Sequence, residues 1–557
     1  MPQSTRFRAA TAVLLVAATA LSTGLPAAER QDPAVVVAEM ALQKGECREA
    51  AEALAKASAA SPDVALATRA TQVAMGCEQL DTAQRAAARW QQLAPGRSEP
   101  ALARALVAMK RFQVDEARKA LTVWRDAGAA GNQDPGRFAQ ILEGETESVI
   151  AYRVFGDVLL GDDPTAEVVM AQATLALHAY DYKAALKLSD RALELRSGFV
   201  PARLLKVRVQ ALSGDVEPAL QLAKELDGKL GEDDAFLAAD VLAAAQRSEA
   251  AREELRRLQG KPALAVGAAR RLGALALEQG DLEEAEKQFL SLIGQRTQAP
   301  IALLSLSRIF ERRGEDERAL RGYALLGDSG ASLAARSGAA RVLLKQGKRE
   351  QAMALFDSYL KQHPESAIEV AGARAQLYAG RGEMPTAIAV LDASLKAYPN
   401  HPQLQYQRAT MLERAGRSAD AERAFEALLK QRPEDPGVAN ALGFTLADHN
   451  RSLDRAEKLV RQALAVSPDN PAILDSFGWV RFRRGHVDEA VAAIERAWRG
   501  AHDAEIGAHF GEVLWKKGEE GRARYVWQQA LNVDPDDELL RRTVKRLTGE
   551  EPQRGDR

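Results

Sequence analysis

Cysteine and histidine are scarce in this 557-residue chain, two of the first and seven of the second, and none stands at the spacing of a C-x-x-C or H-E-x-x-H metal site. Neither a metal nor another cofactor is expected. Aromatic residues are only 5%, which disfavours a sheet because strands draw on aromatic and β-branched side chains. Net charge is nearly absent, with 75 Lys and Arg against 77 Asp and Glu, so nothing attracts a polyanion and nucleic acid is not expected as a partner. No apolar run reaches the roughly 20 residues that span a bilayer. What the chain does have is 46% hydrophobic residues with abundant alanine, a balance that suits closely packed helices. The expected class is all-α.

The start of the chain has a different character. Arg6 and Arg8 precede an apolar run over residues 9–21, and small and turn-forming residues follow through Ala28. This is the pattern of a secretory signal peptide at 1–28, followed by a short linker at 29–34. Export to an oxidising compartment, the periplasm, is the expectation.

Beyond the linker the sequence repeats. Alanines in a shared context stand at 50, 83, 117, 151, 185, 219, 251, 285, 319, 352, 387, 421, 456, 490 and 523, with intervals between 32 and 35. Companions recur at fixed offsets. Five residues before the anchor stands Gly at 45, 214, 280, 314, 347, 382, 416, 485 and 518, where a helix must stop and turn back. Four residues after it comes Leu54, Phe155, Phe289, Phe356, Leu391, Phe425, Ile494 or Trp527, and twelve after it Pro at 62, 95, 364, 399, 433, 468 and 535. The pairs Leu272-Gly273, Leu442-Gly443, Phe477-Gly478 and Phe510-Gly511 put a large residue beside a small one in the preceding helix.

These positions resemble the tetratricopeptide repeat over about 35–537, and the fullest copies are 266–299, 332–365, 470–503 and 504–537. The resemblance implies a right-handed α-solenoid of about 14–15 helical hairpins. A partly degenerate array at 35–265 precedes a more regular one at 266–535. Copies near Ala151 and Ala251 lack the Gly and the Pro, and an insertion near Asn450 lengthens one turn. Acids at the start of 536–547, apolar residues at helical spacing and bases at its end predict a C-terminal capping helix, with a polar, disordered tail at 548–557. Cys47 opens one helix and Cys77 closes the next, ends that are neighbours in stacked hairpins. The pair is either a disulfide or two buried thiols.

Catalytic chemistry is not expected. Gly327-Asp328-Ser329-Gly330 has the letters of a serine-protease nucleophile motif, but that motif needs a general base and an oxyanion hole, and here it falls between two copies as a turn. The resemblance implies instead a concave face, lined by first-helix side chains, that binds proteins or peptides. The candidate groove residues are Tyr406, Asn440, Phe444, Asp475, Trp479, Phe482, Glu512 and Trp515, and nine of the 29 aromatics lie between Phe444 and Trp527. Phe444, Trp479, Phe482 and Trp515 have no duty in the repeat pattern. They are either exposed anchors or held by crowding between helices.

The strings Asn440-Ala441-Leu442-Gly443-Phe444-Thr445-Leu446-Ala447-Asp448, Asp475-Ser476-Phe477-Gly478-Trp479 and His509-Phe510-Gly511-Glu512-Val513-Leu514-Trp515 resemble a proteobacterial family of envelope tetratricopeptide proteins. Its better-known members look like outer-membrane lipoproteins that bind and activate a periplasmic carboxyl-terminal processing protease, which trims peptidoglycan hydrolases. The resemblance implies a non-enzymatic adaptor. An envelope-assembly factor for polysaccharide export or secretion is the alternative. No cysteine follows the apolar run before Cys47, so a lipid anchor is not expected.

Overall fold

All fifteen anchor alanines are fully buried, each in the second helix of a hairpin, in the computed structural model, which describes residues 33–551 apart from 45, 130–133, 227–232, 328, 330–331 and 536. The signal peptide expected at 1–28, most of the linker at 29–34 and the tail from 552 lie outside the described residues. Among the described residues every element is helical, from Pro33–Gln43 to Glu538–Thr548, and no helix is long and apolar enough to cross a membrane. The expected all-α stack is therefore present as fifteen hairpins and a final helix.

The recurring residues account for this regularity one by one. Alanine at the anchor lets the two helices of a hairpin approach, and the large group four residues on fills the space beside it. Leu54, Phe155, Phe289, Phe356, Leu391, Phe425, Ile494 and Trp527 are all buried. Each such side chain contributes about 1.5–3 kcal/mol by leaving water. Every second helix followed by the repeat proline ends two residues before it, as in Met384–Ala397 before Pro399. The final helix is capped by the Asp537 carboxylate, which accepts from Leu540 N at 2.8 Å, and it ends at the left-handed Gly549.

The turn inside the hairpin is conserved in geometry more widely than in sequence. The repeat glycines from Gly214 to Gly518 all have positive φ, and at Gly280 the following amide, Asp281 N, closes the turn on Ala276 O at 2.8 Å. Glu78, Phe112, Tyr180 and Gln246 occupy the same position with φ of 53–59°, closed by the same hydrogen bond. A non-glycine residue there costs roughly 1–2 kcal/mol. Around the insertion, Asn450 and Ser452 are both left-handed, which accommodates the extra residue. The irregular copies at Ala151 and Ala251 still form hairpins, although the first helix of the latter, Leu237–Ala244, is short and follows a 3₁₀ turn at Asp233–Phe236. Of the Gly327 motif, Gly327 and Ser329 lie in a turn, with Ser329 Oγ donating to Leu326 O, and the other two residues are outside the described set.

Two compact units divide the chain, and each joins two remote stretches: residues up to 175 with 332–435, and 176–331 with 436 onward. They cut across the boundary at 265/266 that separates irregular from regular copies. A stack in which each copy met only its neighbours would not pair remote stretches. Within the first unit, however, Arg48 Nη1 donates to Lys396 O at 3.2 Å, 348 residues away. The first unit also holds a bond between Cys47 and Cys77, with Cα atoms 5.5 Å apart.

Two consequences can be measured. A Cβ at Gly478 would lie 2.3 Å from Ile494 Cγ1 and 3.1 Å from the Ala490 carbonyl oxygen, so Gly478→Ala should destabilise by about 1–3 kcal/mol, despite a gain in helix propensity, and lower the denaturant midpoint. Replacing both cysteines by serine should cost about 3–4 kcal/mol for a loop of 30 residues, and mass spectrometry of the unreduced protein should find the linked peptide.

Candidate protein-binding surface

Three successive first helices of the second unit, Pro436–Asp448, Pro471–Arg483 and Ala504–Lys517, carry seven of the eight candidate groove residues. Asn470 sets the middle helix, its side chain accepting from Ala472 N and Ile473 N, and Pro471 fits the first turn, where no donor is needed. Equivalent positions of neighbouring copies then line up across the three helices.

The centre of this region is a buried ion pair. Asp475 Oδ2 lies 2.8 Å from His509 Nδ1, and the two residues are 5% and 4% exposed. The Trp479 ring stacks on the imidazole at 4.4 Å between centroids, and Phe444 approaches it at 5.6 Å. Trp479 Nε1 donates to Asp448 Oδ1 at 3.1 Å, and Arg483 Nη1 donates to Asp448 O at 2.8 Å. Burial pushes the His509 imidazole down, but the adjacent Asp475 carboxylate, helped by Glu505 and Asp448, raises it to about 9. The charged ring is therefore the resident form at neutral pH.

The expected groove residues separate into two kinds. Trp479 is 5% exposed and is part of the packing, so its place among the groove residues is corrected: of the two readings, crowding between helices holds it. Glu512 is also buried, and its carboxylate accepts from Arg546 Nη2 at 2.5 Å, which ties the last hairpin to the capping helix. Phe444, Phe482 and Trp515 are half-buried and keep part of their rings in reach of a partner. Trp515 rests on Trp527 at 5.6 Å, with the Arg524 guanidinium over its ring. Asn440 Oδ1 and Asp475 Oδ1 are buried acceptors with no hydrogen bond to a described residue. Tyr406 belongs to the first unit, where it is half-buried and edge-on to Phe425 at 5.7 Å.

His509 and Arg546 were not singled out from sequence. A signal was there: His509 follows Asp475, and Arg546 follows Glu512, by 34 residues, one repeat period. Opposite charges at that interval on first helices face each other across the stack.

The comparisons agree with the geometry. The family model described as tetratricopeptide repeat matches residues 236–300, 276–330, 337–402 and 406–471. Over those residues the chain matches the tetratricopeptide repeat. A TPR repeat-containing protein of Pseudomonas aeruginosa is 30% identical over 250 residues, covering 45% of this chain and 42% of that protein. The cellulose synthase operon protein C of Pseudomonas fluorescens is 30% identical over 144 residues, covering 24% of this chain and 11% of that protein. The chain thus matches less than half the length of either curated relative. Among solved structures, yeast Tom70 matches with TM-score 0.36 and 15% identity over 76% of this chain and 96% of that one. The APC/C heterotetramer Cut9–Hcn1 matches with TM-score 0.31 and 14% identity over 97% and 99%. Tetratricopeptide arrays are ordinarily protein-binding scaffolds, and the half-buried aromatic rings of the second unit fit that use.

The ion pair gives a pH prediction with a definite sign. The folded value of His509 lies above its ordinary 6.5, so its stabilisation is fully present below pH 6.5 and is lost as pH rises through 9. Unfolding free energy should fall by up to ~3 kcal/mol across that window. Asp475→Asn should abolish the slope and destabilise at pH 7 by about 3–5 kcal/mol, both read by denaturant titration at several pH values.

Proposed function

We propose that this chain is an exported, non-enzymatic scaffold that holds a carboxyl-terminal processing protease together with its cell-wall hydrolase substrates. The observation that carries the scaffold reading is the row of half-buried Phe444, Phe482 and Trp515 on three successive first helices. Aromatic rings supply contact area at low entropic cost. Holding two proteins on one array raises their effective concentration without any chemistry from the scaffold itself. The resemblance of the strings around Phe444, Trp479 and Phe510 to envelope adaptors supports the protease as the partner.

Location in the periplasm fits the signal pattern at 1–28 and is supported by the Cys47–Cys77 bond, since disulfides persist in oxidising compartments. A second reading, an assembly factor for polysaccharide export, is favoured by the likeness to the cellulose synthase operon protein.

Affinity purification of the full chain from envelope extracts separates the two. Co-elution of a carboxyl-terminal processing protease is expected, whereas export components would favour the second reading. Phe482→Ala with Trp515→Ala should weaken capture at least tenfold while leaving helix content unchanged by circular dichroism. Undiminished capture would remove these rings from the binding surface.

A further inference from the structure

In the first unit, hairpin turns of one stretch face the turns between copies of the other, and two of the facing side chains come from positions where the repeat ordinarily has glycine. Glu78 and Phe112 stand five residues before Ala83 and Ala117, with φ of 53° and 55°. Gly280 and Gly314 form the same turn without strain, so the local turn gives no reason for a carboxylate or a ring there. The contacts across the row give one.

Glu78 Oε1 accepts from Lys110 Nζ at 2.8 Å within its own stretch, and its Oε2 lies 3.6 Å from His401 Nε2 on the other. Burial pushes the Glu78 carboxyl up, but the Lys110 ammonium and His401 hold it down at about 2, so it is an anion throughout the working range. Next to it, Asp81 Oδ2 accepts from Asn400 Nδ2 at 2.7 Å. One copy along, the Arg432 guanidinium lies 4.2 Å over the Phe112 ring, and further on Arg153 pairs with Glu434. The contacts run in order, so that successive copies of the first stretch meet the turns 396–401 and then 432–435. In the second unit a hairpin turn also meets a remote turn, there through the backbone: the Tyr180 carbonyl accepts from Asp469 N at 2.9 Å, and Tyr182 N donates to Asp469 Oδ2 at 3.1 Å.

We propose that the non-glycine turns at Glu78 and Phe112 are a latch that holds the two remote stretches of the first unit together. The strain at these turns persists because their side chains reach across the row, which glycine cannot do. With the latch closed, the first unit is braced against the stretching to which a stack with only nearest-neighbour contacts is prone.

Hydrogen–deuterium exchange of the full chain tests this. Glu78→Gly relieves the strained turn and removes the carboxylate; Asp81→Ala removes the adjacent contact at a partly exposed position with ordinary backbone. Both changes lie on the first stretch, and the readout lies on the second, at the amides of Tyr398, His401 and Gln405. These amides should exchange at least tenfold faster in each variant, while Asp281 N, which closes an ordinary turn, stays unchanged. Unaltered exchange at all three amides in both variants would overturn the latch and reduce Glu78 to a local turn residue.

Discussion

The closeness of two helices at a buried alanine is the constraint on which this molecule depends. Fifteen times the chain places Ala where the second helix of a hairpin meets its neighbours, and fifteen times that residue is fully buried. A larger side chain would push the helices apart, and the large group four residues later would no longer fill the space beside it. Gly478 and Gly511 show the same constraint from the opposite helix, where an added Cβ would run into Ile494 or Trp527. The stack is thus specified by small residues at crossings and large ones between them.

A stack specified in this way leaves its turns free to take on other work. The left-handed residue that reverses the chain is glycine at eight of the hairpin turns. Glu78 and Phe112 replace it with side chains that meet a remote stretch. Local strain and distant contact are therefore two sides of one choice. The compact units are made of paired stretches far apart in sequence, although hairpin follows hairpin along the chain.

The same separation of duties marks the first helices of the second unit. Asp475, His509 and Trp479 are consumed in a buried cluster that fixes how three copies stack, and Glu512 is consumed in holding the capping helix. Phe444, Phe482 and Trp515 remain half in solvent at the edge of that cluster. A rigid charged centre with partly open rings beside it is a suitable base for a protein partner, because the rings are held in place before binding.

The sequence by itself determined the repeat, the helical class, the hairpin boundaries at the glycines and prolines, and the capping helix, expected at 536–547 and found at Glu538–Thr548. These follow from local backbone rules and a fixed period, so each copy reports them independently. It left Cys47 and Cys77 open between a bond and two thiols, and Trp479 open between a groove anchor and packing between helices. Only the tertiary structure joined the cysteines, buried Trp479 against a histidine from the next copy, and brought Glu78 to His401. Exposure and remote pairing depend on side chains one copy away or more than 300 residues away, and no pattern within a single 34-residue period contains them.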